Sequence, residues 1–143
     1  MHNLYLGLGS NLGDRHDNIR RAMQLLDERV GSVYRVSTLI ETEPWGYESQ
    51  HRYVNAVCLL HTMLSPEDCL RETIAIERQL GRTDKTEHDE YHDRTIDIDL
   101  LTYDDLSLDC SVMVDGVEHR LTLPHPRMQE RDFVMRPLAE IQG

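Results

Sequence analysis

The sequence predicts an α+β protein in which an antiparallel sheet is covered by two amphipathic helices. Four segments have the alternating or apolar content of strands: residues 4–8, 32–42, 53–62 and 94–103. Two segments with helical spacing interrupt them, so that the order is strand, helix, strand, strand, helix, strand. The 143 residues fit one domain with a core of its own, and we expect residues 1–143 to form that domain.

The composition excludes several classes of protein. A net charge of −11 argues against a nucleic-acid or acidic-membrane binder, because such proteins present a basic face. The N-terminus has neither a basic leader nor a long apolar run, which indicates no export signal and no membrane span. The three cysteines lack C-x-x-C spacing, as is usual in a reducing compartment. We expect a cytoplasmic monomer that acts on small molecules.

The first strand leads into a glycine-rich stretch, 7–14, that we predict to be a turn opening the first helix. Asp14 is a natural N-cap for this helix. The glycine spacing fits neither the dinucleotide-binding fingerprint nor a P-loop, so we attribute the glycines to backbone conformation.

The next two strands flank a possible site for a flat ligand. The loop Glu41-Thr42-Glu43-Pro44-Trp45-Gly46 contains the only tryptophan, which either anchors packing or covers a ligand. One face of the third strand is apolar, and the other begins with Tyr53 and Asn55. An aromatic ring beside an amide suits a planar heterocycle, although these residues equally suit a strand end near solvent.

The second helix has a well-marked start and end. Ser65 and Pro66 form an N-cap and a first-turn proline, and Gly81 ends the helix. Glu77 continues the apolar stripe of this helix, so its carboxylate needs a partner, either Arg82 or a bound ligand.

Residues 82–93 form a long polar segment without periodicity, which predicts either a disordered connection or an active-site lid. His88 and His92 lie four residues apart. We disfavour a zinc site there, because the segment has neither a helix nor thiolates.

The fourth strand carries the most informative pattern. Ile96, Ile98 and Leu100 share one face, and Asp97 and Asp99 share the other. Two carboxylates about 6.6 Å apart along a strand repel each other unless a cation lies between them, and Mg2+ prefers such oxygens. A solvated strand face is the competing interpretation.

The C-terminal third predicts a hairpin around Asp115-Gly116, a return strand from Arg120 that is broken by two prolines, and a turn at 128–131. His125 lies between the two prolines, and this rigid position favours a functional role over a core role.

Taken together, these segments resemble the 6-hydroxymethyl-7,8-dihydropterin pyrophosphokinase family over residues 6–141. The matching motifs are Leu8-Gly9-Ser10-Asn11-Leu12-Gly13-Asp14, Thr42-Glu43-Pro44-Trp45-Gly46, Tyr53-Val54-Asn55-Ala56, Glu77 with Gly81-Arg82, Arg94-Thr95-Ile96-Asp97-Ile98-Asp99-Leu100-Leu101, and Leu123-Pro124-His125-Pro126-Arg127-Met128 with Arg131, Phe133 and Pro137-Leu138. Their common order and spacing are specific, although no single motif is decisive.

The resemblance implies a ferredoxin-like fold with helices on one side of the sheet. It also implies transfer of the β,γ-diphosphate of ATP to the pterin hydroxymethyl group, with AMP as the other product. The catalytic residues it implies are Asp97, Asp99, Arg82 and Arg94, with two Mg2+ ions on Asp97 and Asp99. The ATP-binding residues it implies are Glu77, Arg82, Arg94, Arg120, Thr122, His125 and Arg131. The pterin-binding residues it implies are Thr42, Pro44, Trp45, Tyr53, Asn55 and Phe133.

The chain departs from the family pattern in several places, among them Asp84, where a basic residue is common. Tyr91-His92-Asp93 stands where many relatives have Trp-Gly-Pro, and residues 111–119 resemble an insertion.

Two other functions compete with this one. A non-catalytic nucleotide sensor would need an anion site but no paired aspartates, whereas a polymerase-like nucleotidyltransferase would need Gly9-Ser10 much nearer to Asp97.

Overall fold

The computed structural model describes residues 1–42, 52–81 and 95–142. The strands are β1 His2–Ser10, β2 Gly31–Val36, β3 Ile40–Thr42, β4 Tyr53–Thr62, β5 Asp97–Tyr103, β6 Leu108–Val114 and β7 Val117–Leu123. The helices are α1 Arg15–Arg29, α2 Pro66–Gln79 and α3 Asp132–Ile141, with a 3-10 turn at Met128–Glu130. Across these ranges, none of the helices is long and apolar enough to cross a bilayer.

The main sheet has the strand order β2-β4-β1-β5, and β3 pairs with the end of β4. This order puts β1 and β4 in the centre and β5 at one edge, and all of the pairings are antiparallel. With α1 after β1 and α2 after β4, this is the ferredoxin-like arrangement, and the predicted fold class is confirmed. Strands β6 and β7 form a separate hairpin.

The two faces of the sheet bury different helices. On one face, the even-numbered leucines of β1 join Ile98 and Leu100 of β5 in a core with α1 and α2. On the other face, Val57, Leu59 and Leu101 pack against α3. The expectation that helices cover one side was therefore incomplete, because α3 covers part of the second face. The sequence pattern had predicted no helix in this segment.

The helix starts follow the predicted capping chemistry. The Asp14 carboxylate accepts a hydrogen bond from Asp17 N at 3.1 Å, and the Ser65 hydroxyl accepts one from Asp68 N at 3.2 Å. Gly81 follows the end of α2 with φ +107°, a conformation that suits glycine.

Two local predictions were wrong. Residues Gly7 to Ser10 belong to strand β1 and are not part of a turn, because they pair with β4 up to Ser10. The segment 32–42 forms two strands rather than one. Between them, Ser37 donates its N–H to Val57 O at 2.8 Å, and its hydroxyl accepts from Val57 N at 2.9 Å.

The predicted hairpin at Asp115-Gly116 is confirmed. Both residues have positive φ, +50° and +80°, as a tight two-residue hairpin turn requires. Residues 111–119 extend β6 and β7 to this turn, and the Asp115 carboxylate pairs with Arg78 of α2.

Replacing Gly31 with alanine should destabilise the fold by about 2–3 kcal/mol, as overpacking does in a tight core. A Cβ at this position would lie 2.3 Å from the backbone oxygen of His61, and that backbone is fixed in strand β4. Urea unfolding followed by circular dichroism measures the change. Ser32→Ala at the exposed next residue is the control and should stay within about 0.5 kcal/mol.

The start of β1 is tied to the end of β5 by one carboxylate. Asp104 accepts hydrogen bonds from Asn3 N and from His2 Nδ1, both at 2.7 Å. These two contacts, that of Asn3 first, hold the pKa of Asp104 below its usual value of 3.8. A carboxylate with a lowered folded-state pKa stabilises the fold above the pKa of the unfolded chain, and this contribution disappears as the pH falls through the lower folded value.

We therefore expect Asp104→Asn to lower stability at pH 7 and to match the wild type in strong acid. Asparagine tolerates the left-handed backbone at this position, where φ is +50°, so backbone strain is not a competing cause. Thermal unfolding between pH 2 and pH 7 measures the difference, with Asp105→Asn as the control. A stability loss that stays constant across this range would contradict the assignment.

Candidate active site

An open pocket lies on the face of the sheet that α3 partly covers. It encloses about 570 Å3, including its open mouth. Its lining residues are Gly7, Leu8, Gly9, Thr42, Tyr53, Asn55, Ala56, Asp97, Asp99, Arg131, Phe133 and Val134. It therefore brings together the paired aspartates and all four of the predicted pterin residues that the structure describes.

Strand register explains why distant residues meet in this pocket. Gly9 of β1 pairs with Asn55 of β4 on one side and with Asp97 of β5 on the other. Gly7 likewise pairs with Asp99. Because paired residues of neighbouring strands point to the same face, the amide and the two carboxylates flank the same two glycines.

The glycines leave room for the side chains beside them. A Cβ on Gly9 would lie 3.1 Å from Asn55 Oδ1 and 3.3 Å from Tyr53 Cδ1, closer than side chains normally tolerate. A Cβ on Gly7 would meet only the flexible end of Leu101, at 3.6 Å or more. Gly9 therefore keeps the floor of the pocket open. The sequence alone had suggested a backbone role for these glycines, and it gave no sign of this steric role because strand neighbours cannot be read from it.

The amide end of the pocket has a fixed orientation. Asn55 is 4% exposed, and its Nδ2 donates to Thr42 Oγ1 at 2.7 Å. Its Oδ1 lies over Gly9, next to the ring of Tyr53. The ring of Phe133 comes from α3 and lies 5.7 Å from the guanidinium carbon of Arg131. Two aromatic rings and a held amide therefore line the same cavity, as a flat polar heterocycle requires.

The carboxylate end combines two acidic groups with one arginine. Asp97 and Asp99 are both partly exposed, and Arg131 Nη1 lies 3.7 Å from Asp99 Oδ2. The Arg131 side chain is only 11% exposed, so its charge acts in a partly dehydrated setting. This pair of aspartates follows the face assignment made from the alternation, because Ile96, Ile98 and Leu100 all lie in the opposite core.

The two carboxylates suit a cation that binds together with a phosphate-containing substrate. Within the three described ranges, no three His, Cys, Asp or Glu side chains cluster closely enough to form a complete metal cage. Mg2+ is commonly held by one or two carboxylates, with water and phosphate oxygens completing its shell. Two neighbouring carboxylates in an open pocket fit that pattern.

A backbone hydrogen bond orients the ring of His125. A cis peptide bond joins Leu123 to Pro124, and Arg127 N donates to His125 Nδ1 at 3.2 Å. Burial and then the charge of Arg131 hold the pKa of His125 below its ordinary value of 6.5. With Nδ1 accepting, the proton of the neutral ring lies on Nε2, which can donate to a ligand oxygen.

Four of the predicted site residues that the structure describes do not line the pocket: Glu77, Arg120, Thr122 and His125. Arg120 and Thr122 lie on the β6–β7 hairpin, where both donate to Asp109 Oδ1, at 2.7 Å and 3.1 Å. Glu77 is buried in the core and contacts the backbone of Ile98. Pro44, Trp45, Arg82 and Arg94 lie outside the described residues.

The chain matches the model of the 7,8-dihydro-6-hydroxymethylpterin-pyrophosphokinase (HPPK) family over residues 5–143. The chain belongs to this family. Among the curated proteins, it is similar to a 2-amino-4-hydroxy-6-hydroxymethyldihydropteridine pyrophosphokinase of Porphyromonas gingivalis, with 49% identity over 96% of the chain and 89% of the relative. A Bacillus subtilis protein of the same name is 39% identical over 96% of the chain and 76% of the relative.

Solved structures support the same fold. An HPPK-DHPS crystal structure in complex with substrates matches with a TM-score of 0.75 at 12% identity, and a wild-type Plasmodium falciparum HPPK-DHPS matches with 0.77 at 15%. The match covers 98% and 99% of this chain but about 40% of those longer chains. At such low identity, the likeness shows the HPPK fold alone.

Substituting Gly9 with alanine should weaken binding of a flat ligand by about tenfold or more, a loss of roughly 1.4 kcal/mol. The new Cβ would push Asn55 and Tyr53 into the space that the ligand needs. Titration with 6-hydroxymethylpterin, followed by fluorescence or calorimetry, gives the dissociation constant. Gly7→Ala is the matched control, and the steric account fails if the two variants lose equal affinity.

Proposed function

We propose that this protein transfers diphosphate from ATP to 6-hydroxymethyl-7,8-dihydropterin and releases AMP, a step of folate biosynthesis. The observation that supports this best is the pocket itself. In a chain of the HPPK family, it sets a held amide and two aromatic rings beside paired aspartates and an arginine. One end suits a pterin, and the other suits a polyphosphate with its cation.

The proposed reaction is an in-line displacement at phosphorus. The hydroxymethyl oxygen attacks the β-phosphorus of ATP and forms a new P–O bond. The bond between the β-phosphorus and the oxygen that bridges to the α-phosphorus breaks, and AMP leaves with that electron pair. The hydroxyl proton passes to solvent, since we assign no general base. Positioning and charge neutralisation therefore account for the catalysis.

The pterin end has described residues suited to both binding and orientation. The rings of Tyr53 and Phe133 offer flat apolar surfaces, and the amide of Asn55, held by Thr42, offers a hydrogen bond to the edge of the heterocycle. Pro44 and Trp45 are proposed to complete this end. The hydroxymethyl group would then point toward the aspartates.

The phosphate end would hold two Mg2+ ions on Asp97 and Asp99. When bound, the ions neutralise the triphosphate and orient the transferred group. Arg131 lies beside Asp99 and is placed to contact a phosphate oxygen, and His125 can donate from Nε2. Arg82 and Arg94 are proposed as further phosphate ligands and catalytic residues.

The remaining ATP residues need a rearrangement or an indirect role. Arg120 and Thr122 would have to exchange their shared partner Asp109 for the nucleotide. Such an exchange costs little, because ion pairs in solvent contribute little stability. Glu77 is nearly inaccessible to a ligand at 5% exposure.

Asp97→Asn and Asp99→Asn should each reduce pterin-dependent AMP formation by at least about a thousandfold, because a lost metal ligand costs several kcal/mol of transition-state stabilisation. Both variants should keep the wild-type circular dichroism spectrum. The rate of AMP release at saturating Mg-ATP is the measurement, and Glu118→Gln, an exposed carboxylate of β7, is the control. Near-normal turnover in either aspartate variant would exclude the metal role, whereas ATP binding without any turnover by the wild type would favour a nucleotide sensor.

A further inference from the structure

The buried carboxylate of Glu77 has a structural partner that the sequence did not indicate. Glu77 is 5% exposed and lies on the face of α2 that packs against the sheet. Its Oε2 accepts a hydrogen bond of 2.7 Å from the backbone N–H of Ile98 in β5. Burying a carboxylate is costly unless it is hydrogen-bonded, so this contact helps to explain why the group is tolerated there.

The contact lies on the outer side of an edge strand. Strand β5 is the last in the order β2-β4-β1-β5, and Ile98 is paired with Leu8 of β1. Because Ile98 donates its N–H to Glu77, this N–H faces away from β1. Glu77 therefore supplies the hydrogen bond that a further strand would supply, and a buried N–H without a partner would cost about 1–3 kcal/mol.

Ile98 is the residue between the two aspartates. Asp97 is the first residue of β5, where a strand is least constrained by its own ladder. The pairing of β5 with β1 also loses its regular register between Tyr5 and Leu6, close to Leu101. On the far side of the aspartates, Leu101 O accepts from His125 N at 2.8 Å. Contacts from outside the sheet thus hold β5 between the two aspartates and again just after them.

We propose that Glu77 is a positioning residue for the divalent metal site. By holding the Ile98 N–H, it fixes the backbone between Asp97 and Asp99 and so the directions of the two carboxylates. This inference rests on the proposed metal role of the aspartates. It assigns Glu77 to the support of the metal ligands and not to direct contact with ATP.

The length and the charge of the side chain can be tested separately at Glu77. Glu77→Gln keeps an oxygen acceptor at the same distance but removes the charge. Glu77→Asp keeps the charge but is one carbon shorter, so it cannot reach Ile98 N without moving α2. A positioning role predicts that glutamine substitutes better than aspartate, whereas a direct ligand role for the carboxylate predicts the reverse.

The test is calorimetric titration of the whole protein with Mn2+ in the presence of α,β-methylene-ATP, which cannot be cleaved at the reacting bond. We expect Glu77→Asp to weaken Mn2+ affinity by about tenfold, as loss of support for a metal ligand commonly does, and Glu77→Gln to stay within about threefold. Thr73→Val is the matched control, because Thr73 is buried on the same helix and its hydroxyl donates to Leu70 O. Its Mn2+ affinity should equal that of the wild type.

Hydrogen exchange at the Ile98 amide gives a second readout that does not depend on a metal. Exchange should be slow in the wild type and in Glu77→Gln, and faster in Glu77→Asp. Equal Mn2+ affinity in Glu77→Asp and wild type, or a greater loss in Glu77→Gln, would overturn the inference. Failure of the proposed function looks different, because the wild type would then bind Mn2+ yet form no AMP.

Discussion

The close packing of Tyr53 and Asn55 over the bare backbone of Gly9 is the contact on which the pocket depends. Strand β1 lies in the centre of the sheet, so any side chain at Gly9 would enter the space between the pocket-facing side chains of β4 and those of β5. Because Gly9 has no side chain, an amide and a carboxylate can flank one strand and face the same pocket. The ferredoxin-like order thus serves the site by making β1 the shared neighbour of both strands.

The site is supported from both faces of the sheet. On the pocket face, α3 contributes Phe133 and is preceded by Arg131. The aromatic ring and the guanidinium therefore lie near each other, and the guanidinium also contacts Asp99. From the opposite face, α2 sends Glu77 to the edge of β5. The net charge of −11 does not exclude an anionic ligand at this end of the pocket, because Arg131 lies within it and the proposed Mg2+ ions would neutralise a polyphosphate locally.

The alternation of apolar and polar residues along single strands provided most of what the sequence predicted about the site. It predicted which faces Asp97, Asp99, Tyr53 and Asn55 would occupy, and those residues do share one pocket. It could not predict which strands are neighbours, so the steric role of Gly9 and the contact of Glu77 with Ile98 remained hidden. Helix α3 was missed because Pro137 breaks the local helical signal, whereas burial of Val134, Leu138 and Ile141 against the sheet stabilises the helix.

We expect this one pocket to join a pterin to two phosphates in a single step. Mass spectrometry of the pterin after incubation with Mg-ATP and 6-hydroxymethyl-7,8-dihydropterin tests it most directly, with ATP labelled by 18O at the γ-phosphate. The account predicts a pterin diphosphate whose label lies in its terminal phosphate. A pterin monophosphate, formed together with ADP, would contradict it, and so would an unchanged pterin in the presence of folded protein that binds both substrates.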